Sequence, residues 1–331
     1  MPSLGTPIRY LERSLPEKLA INKISSISKS PTLDVEVFFT HFLGLNKTQQ
    51  LLNRDKILNK EELEVLNDAI QKRCTGLPVA YITGHKEFFG YDFCVTPSVL
   101  IPKPDTELLV EFAINKIIEK IEARNGSLSS DGQILTVCDM CTGSGCVGLS
   151  VLLELITKYK IRPEQLPKFV FVDISNDALE IAKLNAKKLL KEDLHYDSSE
   201  ILLSKVEFIQ SNLFELIEQS FDVILSNPPY VPQDMVNELL QDGRSEPRLA
   251  LDGDVDIYTG NNSFTKDGLA IIRVLIEQVT EHLNPFGSFI LEAGEYNVLE
   301  AQKLIEKQNF TTQIYFDLEN QPRGVVSDLA N

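Results

Sequence analysis

The sequence predicts an α/β fold with a parallel β-sheet, preceded by a smaller helical region. From residue 134 onward, apolar runs of strand length alternate with amphipathic helical patterns, as in sheets whose strands are joined by crossover helices. The first of these strands runs into a glycine-rich turn, and a later one ends in Asn-Pro-Pro-Tyr. Ligands of open α/β sheets bind at the carboxyl ends of the strands. These two strand ends are therefore the candidate site.

Residues 1–77 are predicted to form a small helical domain. Short amphipathic patterns fill residues 14–76, and the one from Asp34 to Leu43 carries a broad apolar face. Asn59, followed three residues later by Glu62, is a capping-box pattern and predicts the start of a helix. No residues suited to catalysis cluster in this region.

A linker over residues 78–104 and a larger domain over residues 105–331 are predicted to follow. In the linker, two short strands flank Gly90 and indicate a β-hairpin. The larger domain begins with a helix over residues 105–124 and a loop over residues 125–132. Its strands are predicted at Ile134–Asp139, Phe169–Asp173, Val206–Gln210, Phe221–Ser226, Ser288–Glu292, Thr312–Phe316 and Gly324–Val326. Its further helices are predicted near Cys146–Tyr159, Asp177–Leu190, Lys266–Leu283 and Val298–Gln308.

Two local features modify this alternation. Residues 252–266 are rich in Asp, Gly and Asn and are predicted to form an irregular insertion. Pro285 and Gly287 are predicted to end the helix that precedes them.

Composition narrows the class of protein. The chain has 331 residues, of which 43% are hydrophobic and 24% charged, as in ordinary globular proteins. Its 32 Lys and Arg against 48 Asp and Glu give a net charge of −16, which disfavours a nucleic-acid partner. No run approaches the roughly 18 apolar residues of a membrane span, so no membrane partner is expected. Basic residues and serines near the start are a weak targeting pattern, interrupted by acidic residues.

The cysteine pattern predicts neither a disulfide framework nor a metal site. The five cysteines are scattered and odd in number. Cys138 and Cys141 have the spacing of a metal or redox pair, but no second pair follows and the chain has only four histidines. Both are therefore predicted to have packing roles, and no metal is expected.

The glycine-rich turn predicts a cofactor site. Gly143 and Gly145 permit a tight turn and a close approach of a ligand to the backbone, and with Gly148 they match a dinucleotide fingerprint. Asp173 ends the next strand, where a carboxylate accepts hydrogen bonds from ribose hydroxyls. The alternative is a packing turn beside a solvated acid. Asp139 favours a cofactor with a positive ammonium and sulfonium over one with a pyrophosphate.

Asn227-Pro228-Pro229-Tyr230 predicts a site for a planar –NH2 group. Pro229 restrains Pro228 to an extended conformation, which is expected to hold its carbonyl beside the side-chain carbonyl of Asn227. Two rigid acceptors with the ring of Tyr230 beside them would bind such a group. The alternative is an ordinary proline turn that ends a strand. The combination of glycine turn, acid and acceptor pair is more specific than any one of them.

These stretches together resemble the HemK-type release-factor glutamine methyltransferases. The resemblance extends from residue 78 to about residue 295 and is weaker over the helical N-terminal region. The matching stretches are Pro78–Gly84 and Phe88–Gly90, Leu100–Pro102 and Pro104–Glu107, Cys141–Gly145, Val172–Ser175, Ser226–Tyr230, and Glu246–Leu251.

The resemblance implies a seven-stranded, Rossmann-like methyltransferase core that uses S-adenosylmethionine, with an N-terminal domain that docks the substrate. The implied substrate is the glutamine of the Gly-Gly-Gln motif in a class I peptide chain release factor, methylated in support of translation termination. Neither nucleic acid nor membrane is an expected partner. The implied catalytic residues are Asn227, Pro228, Pro229 and Tyr230. The implied cofactor-binding residues are Asp139, Cys141, Thr142, Gly143, Ser144, Gly145, Asp173, Asn212, Leu213 and Asn227.

The sequence departs from the family pattern at three places. Lys103 stands where the family usually has Arg, and Asn212-Leu213 stands where an acid and a variable apolar or aromatic residue are common. The insertion at residues 252–266 is longer than in bacterial members. It favours a mitochondrial, fungal-like branch and location in the mitochondrial matrix, with the bacterial cytoplasm as the alternative.

The expected mechanism depends on the poor nucleophilicity of an amide nitrogen. Acceptors at Asn227 and Pro228 would bind both N–H bonds, orient the nitrogen and stabilise the positive charge that develops on it. Tyr230 would pack against the substrate and exclude water. None of the four histidines is placed by sequence to act as a base.

Three other functions fit part of the sequence. An adenine amino-methyltransferase acting on DNA or RNA would need the same acceptor pair, but the net charge of −16 disfavours it. A nicotinamide oxidoreductase is compatible with the glycine pattern but leaves Asn-Pro-Pro-Tyr unexplained. A non-catalytic binding module would not require glycine turn, acid and acceptor pair together.

Overall fold

The structure is a computed structural model in which the chain divides into two compact units. Residues 1–85 and 239–245 belong to the first unit, and residues 86–238 and 246–331 belong to the second. The residues that the structure describes are 14–52, 58–126, 134–194, 199–241 and 246–330.

The first unit is built from short helices around a small apolar core. Phe38, Phe39 and Leu66 are buried at its centre. The predicted capping box is confirmed: Asn59 Oδ1 accepts from Glu62 N at 2.9 Å, and the Glu62 carboxylate accepts from Asn59 N at 2.8 Å. The helices are α1 (Ser14–Ile24), α2 (Pro31–Leu43), α3 (Lys47–Leu52), α4 (Lys60–Cys74) and α5 (Val79–Thr83).

The predicted hairpin is also present. Strands β1 (His85–Phe88) and β2 (Tyr91–Cys94) pair in a two-stranded sheet, and Gly90 between them has a φ of 79°.

The second unit contains a seven-stranded sheet, which confirms the predicted architecture. The order is β5-β4-β3-β6-β7-β9-β8; the first five strands of this order are parallel, and β9 is antiparallel to both of its neighbours. The strands are β3 (Thr136–Met140), β4 (Lys168–Asp173), β5 (Val206–Gln210), β6 (Phe221–Ser226), β7 (Leu283–Glu292), β8 (Phe310–Phe316) and β9 (Pro322–Leu329).

Helices cover both faces of this sheet. Val223 and Leu225 of β6 pack into an apolar cluster with α6 and α7, whereas Ile224 packs on the opposite face with α11 and α12. Because both faces of the central strands are covered, β4 and β6 are largely apolar and buried, whereas the edge strand β5 is only partly buried. The helices are α6 (Glu107–Gly126), α7 (Cys146–Thr157), α8 (Asn176–Lys187), α9 (Ser199–Leu203), α10 (Gln233–Gln241), α11 (Ala270–Val279) and α12 (Val298–Glu306).

Two boundary predictions are wrong. Helix α6 continues to Gly126, so the predicted loop at 125–132 begins later than expected, and its remainder lies outside the described residues. Helix α11 ends at Val279, and Pro285 and Gly287 lie within β7. There Phe221 pairs with Leu283 but Val223 pairs with Ser288, so a bulge in β7 accommodates the proline and the glycine.

Candidate active site

A cavity of about 460 Å³ opens at the carboxyl ends of β3, β4, β5 and β6. This is the size range of sites that enclose small molecules and cofactors. The turns that follow these four strands supply one side of its wall. The remaining lining residues come from segments 97–106, 247–250, 255–260 and from Ile271.

The turn after β3 approaches the cavity with its backbone. Gly143 and Gly145 have φ values of 56° and 78°, and Cys141 shares the left-handed conformation with a φ of 62°. Gly148 serves a different purpose: a Cβ there would lie 2.6 Å from the ring of Phe171 and 2.9 Å from Asp139 Oδ2. The third glycine of the pattern therefore allows helix α7 to pack closely on the sheet.

Asp139 stabilises this turn through two hydrogen bonds. Its Oδ2 accepts from Thr142 Oγ1 at 2.7 Å and from Gly148 N at 3.0 Å, and the side chain is buried while the residue lines the cavity. Burial raises the pKa of Asp139 to about 6, although both hydrogen bonds lower it. Asp139 thus stabilises the turn in addition to placing a carboxyl group at the cavity.

Asp173 joins the turn to the end of β4. Its Oδ2 accepts from Gly143 N at 2.8 Å, and its Oδ1 accepts from Ser175 N at 2.9 Å. Burial raises the pKa of Asp173, whereas the backbone N–H groups of Ser175 and Gly143 lower it. Each carboxylate oxygen keeps a further lone pair, so Asp173 can also accept hydrogen bonds from ligand hydroxyls.

The loop after β5 connects to the insertion at residues 252–266. Asn212 Nδ2 donates to Ile257 O at 3.0 Å, and Leu213 is buried with a φ of 50°. Val255 and Ile257 line the cavity together with Asn212 and Leu213. The predicted irregular insertion therefore forms a wall of the site.

The amide of Asn227 is oriented by a chain of hydrogen bonds. Asn227 Nδ2 donates to Thr106 Oγ1 at 3.2 Å, and Thr106 Oγ1 donates to Glu292 Oε1 at 3.2 Å. The hydroxyl of Tyr230 donates to the same Glu292 oxygen at 3.1 Å. These contacts assign which amide atom is nitrogen, and Oδ1 is the acceptor that Asn227 presents.

Glu292 is a functional candidate that the sequence analysis missed. It is buried at the end of β7, and its Oε2 has no hydrogen-bond partner within the described part of the chain. Burial raises the pKa of Glu292 to about 7, against the hydrogen bonds from Thr106 and Tyr230. Its position at the end of a predicted strand was the available signal.

The backbone of Tyr230 is enclosed by a second set of residues. Asn297 Nδ2 donates to Tyr230 O at 2.9 Å. Gly268, with a φ of 72°, lies so close that a Cβ there would be 2.1 Å from the same oxygen. The chain after Asn-Pro-Pro is therefore held firmly in place.

Lys103, one of the departures from the family pattern, forms an ion pair. Its Nζ lies 2.6 Å from Glu246 Oε1, which also accepts from Ile101 N at 3.3 Å. Glu246 is buried, whereas the Lys103 side chain is partly exposed. The pair joins two segments that line the cavity, 97–103 and 247–250.

The structure gathers most, but not all, of the predicted site residues at the cavity wall. Three do not line it: Gly145, Pro228, which is buried, and Tyr230, whose ring packs against the core while its hydroxyl binds Glu292. Those that line it are Asp139, Cys141, Thr142, Gly143, Ser144, Asp173, Asn212, Leu213, Asn227 and Pro229.

Comparison with known proteins identifies the family. Residues 18–84 match a family model described as the PrmC N-terminal domain, and residues 127–259 match the methyltransferase small domain. A release factor glutamine methyltransferase of Buchnera aphidicola is 33% identical over 293 residues, which cover 88% of this chain and 90% of that protein. One from Borreliella burgdorferi is 33% identical over 310 residues, with coverage of 92% and 93%.

The chain belongs to the release factor glutamine methyltransferase family. This confirms the resemblance found in the sequence. A solved structure of the release factor-specific protein-(glutamine-N5) methyltransferase from Alicyclobacillus acidocaldarius is 20% identical and covers 72% of this chain and 100% of that one. Its TM-score is 0.35, so membership in the release factor glutamine methyltransferase family rests on the sequence relatives.

Two further observations concern partners of this family member. Among the described helices, none combines the length and apolar character needed to cross a bilayer. Within the same residues, His, Cys, Asp and Glu side chains do not gather in groups of three or more that would bind a metal ion.

Proposed function

We propose that this protein transfers a methyl group from S-adenosylmethionine to a glutamine side-chain amide. The acceptor is the glutamine of the Gly-Gly-Gln motif in a class I peptide chain release factor, and the reaction supports translation termination. The observation that carries the proposal is the orientation of Asn227. Its Nδ2 is bound to Thr106, which leaves Oδ1 as an acceptor at a cavity that also contains the glycine turn and Asp173.

The lining residues fit this cofactor. S-adenosylmethionine supplies an electrophilic methyl group on a positively charged sulfonium. Asp173 would bind the ribose hydroxyls, and the carboxyl group of Asp139 would favour the positive charges. Ser144 Oγ is buried without a hydrogen-bond partner among the described residues, and Ser144 lines the cavity, so a polar ligand would satisfy it.

The chain's own residues would prepare the acceptor nitrogen. Asn227 Oδ1 would accept one of its N–H bonds, hold the nitrogen in line for transfer and stabilise the developing positive charge. The Pro228 carbonyl, expected from the sequence as the second acceptor, belongs to a buried residue that does not line the cavity, and the Tyr230 ring packs against the core, so neither is assigned a contact with the substrate. His282 is not suited to act as a base, because both of its ring nitrogens contact backbone carbonyls, those of Gln278 and Ile217.

The domain roles remain part of this proposal. Residues 1–77 would dock the release factor, residues 78–104 would link the domains, and residues 105–331 would carry out catalysis. The match of residues 18–84 to the N-terminal family model supports the docking role.

The compartment is also part of the proposal. The long insertion favours a mitochondrial, fungal-like member of the family, whereas the relatives named above are bacterial and favour the alternative, a bacterial cytoplasm.

The proposed reaction is tested by incubating the protein with methyl-labelled S-adenosylmethionine and a class I release factor. A parallel reaction contains the same factor with its Gly-Gly-Gln glutamine changed to alanine. We expect label on the first factor and none on the second. Label on neither factor but on added DNA or RNA would contradict the proposal and favour an adenine methyltransferase.

A further inference from the structure

A buried carboxyl group lies directly behind the acceptor residues. Ser226, which precedes Asn227, pairs with Leu291, which precedes Glu292, so the two strand ends bring these residues together. Glu292 is 3% exposed, and one of its oxygens accepts both the Thr106 and the Tyr230 hydroxyls. Its second oxygen lacks a partner among the described residues. Such a group is costly to bury, so its retention calls for an explanation.

We propose that Glu292 is a positioning residue that fixes the direction of the Asn227 amide through Thr106 and fixes the Tyr230 side chain through its hydroxyl. This inference rests on the proposed function, because it assigns the Asn227 oxygen to the substrate amide.

The direction of each hydrogen bond in this chain follows from which groups can donate and which can accept. A threonine hydroxyl has one hydrogen to donate. When Thr106 gives that hydrogen to Glu292, its lone pairs remain for Asn227 Nδ2. Without the Glu292 acceptor, Thr106 is free to donate to Asn227 instead, and the amide then turns by half a rotation. The cavity would face an –NH2 group, which cannot accept hydrogen bonds from a substrate amide.

The negative charge of Glu292 also favours Asn227 Oδ1 as the acceptor. Successive hydrogen bonds polarise one another, so a carboxylate at one end makes Asn227 Oδ1 a stronger acceptor. The cation that acts on Glu292 is Arg323, which binds Asp317 at 2.6 Å and Asp105 at 3.3 Å, and its effect on Glu292 is smaller than that of Asp105. The other titratable groups that interact with Glu292 are Asp105, Tyr230, Tyr315 and Cys146.

These surroundings predict a pH-dependent reaction rate. Burial, and to a smaller extent Asp105, raises the pKa of Glu292, while the hydrogen bonds from Thr106 and Tyr230 and the charge of Arg323 lower it, with a result of about 7. The carboxylate, which is the form that best orients Thr106, is therefore populated above neutral pH. Turnover should rise as the pH increases through that value.

The test compares the wild-type protein with Glu292→Leu, which removes the acceptor, Glu292→Gln, which keeps an acceptor oxygen but removes the charge, Thr106→Val and Thr106→Ser. For each we would measure kcat and KM for the release factor between about pH 6 and about pH 8.5, a range that brackets the pKa of a raised carboxyl group. S-adenosylhomocysteine affinity by calorimetry and the melting temperature are the readouts that do not depend on turnover.

We expect Glu292→Leu and Thr106→Val each to lower kcat by about 10- to 100-fold, as small misplacements of reacting groups do, with unchanged S-adenosylhomocysteine affinity. The rise of kcat with pH should disappear in Glu292→Gln. Thr106→Ser should restore most of the activity, because it keeps the hydroxyl. The double variant should be no worse than either single one, since both break the same chain.

The outcomes separate this inference from the proposed function. If the wild-type protein labels the release factor but Glu292→Leu keeps its kcat and Glu292→Gln keeps the rise of kcat with pH, only the positioning role is overturned. If the wild-type protein leaves the factor unlabelled, the proposed function is overturned and the inference with it. Should Glu292→Leu fail to fold, the Thr106→Val and Thr106→Ser pair decides: equal kcat in both would overturn the inference.

Discussion

The side chain of Asn227 lines the cavity, and its nitrogen donates to Thr106. Truncating this side chain removes the acceptor Oδ1 but leaves the other residues that line the cavity in place. Asn227→Ala should lower kcat by about 10²- to 10³-fold, the usual effect of losing one group that stabilises developing charge. S-adenosylhomocysteine affinity, measured by calorimetry, should largely survive. Asn176→Ala, at an exposed asparagine of α8, is the control. Turnover near the wild-type level in Asn227→Ala would disprove the acceptor role.

Replacing Asp173 is expected to weaken cofactor binding, because its carboxylate stabilises the turn through Gly143 N and would bind the ribose. Asp173→Ala should weaken S-adenosylhomocysteine binding by about 10- to 100-fold, which corresponds to the loss of a hydrogen bond to a charged group. Glu180→Ala removes an exposed acid of α8 that pairs with Lys183 and serves as the control. Unchanged affinity in a titration of Asp173→Ala would exclude the ribose role.

At the scale of elements, the insertion at residues 252–266 and the glycine that follows it hold Tyr230 in place. Gly268→Ala would introduce a Cβ 2.1 Å from Tyr230 O at a φ of 72°. Overpacking and a left-handed alanine together should cost about 3–5 kcal/mol of unfolding free energy. Gly260 offers a matched control, since its φ is 69° and a Cβ there would meet no atom within 4 Å.

Gly260→Ala should therefore cost only the conformational penalty of about 1–2 kcal/mol. Denaturant unfolding of both variants would measure the difference. Equal losses of stability would show that the close approach of Gly268 to Tyr230 does not constrain the site.

The elements also show which features a sequence specifies locally. Strands β5 and β6 have the predicted bounds. Strand β6 is an apolar run with one polar break and is buried throughout, as expected for a strand covered on both faces, whereas β5 lies at the sheet edge and is only partly buried. The start of β7 was missed, because Pro285 and Gly287 normally end an element and only the pairing with β6 makes them a bulge.

The candidate site likewise contains some residues that a local sequence pattern indicates and others that only the fold brings together. Asp173 ends a predicted strand and Asn227 directly follows one, and the sequence alone therefore indicated them as candidate site residues. Thr106 and Glu292 are 186 residues apart in the chain, and their hydrogen bond exists only because the fold brings both behind Asn227. No local pattern predicts such a contact.

At the scale of the whole molecule, buried acids make stability depend on pH. Burial raises the pKa of Asp139 to about 6 and of Glu292 to about 7, and it also raises the pKa of Asp173. In unfolded chains the pKa values of these carboxyl groups are about 4. At pH values between the unfolded-chain pKa values and these raised pKa values, the folded protein binds more protons than the unfolded chain, so its free energy of unfolding falls as the pH rises.

The melting temperature should therefore be higher at about pH 5.5 than at about pH 7.5. The net charge of −16 acts in the same sense, because protonation relieves self-repulsion. Glu292→Gln should reduce the slope, since a neutral side chain then occupies the buried position. A melting temperature that increases over this interval would contradict the assignment of raised pKa values.

The strand order has a consequence for how the protein folds. Strand β9 follows β8 in the chain but lies between β7 and β8 in the sheet. Until β9 docks, β7 is paired only with β6 and presents a free hydrogen-bonding edge, which is a surface prone to association with other chains. Because Glu292 ends β7, the surroundings of the candidate site should form late in folding, and a chain interrupted before residue 322 should lack them and be aggregation-prone.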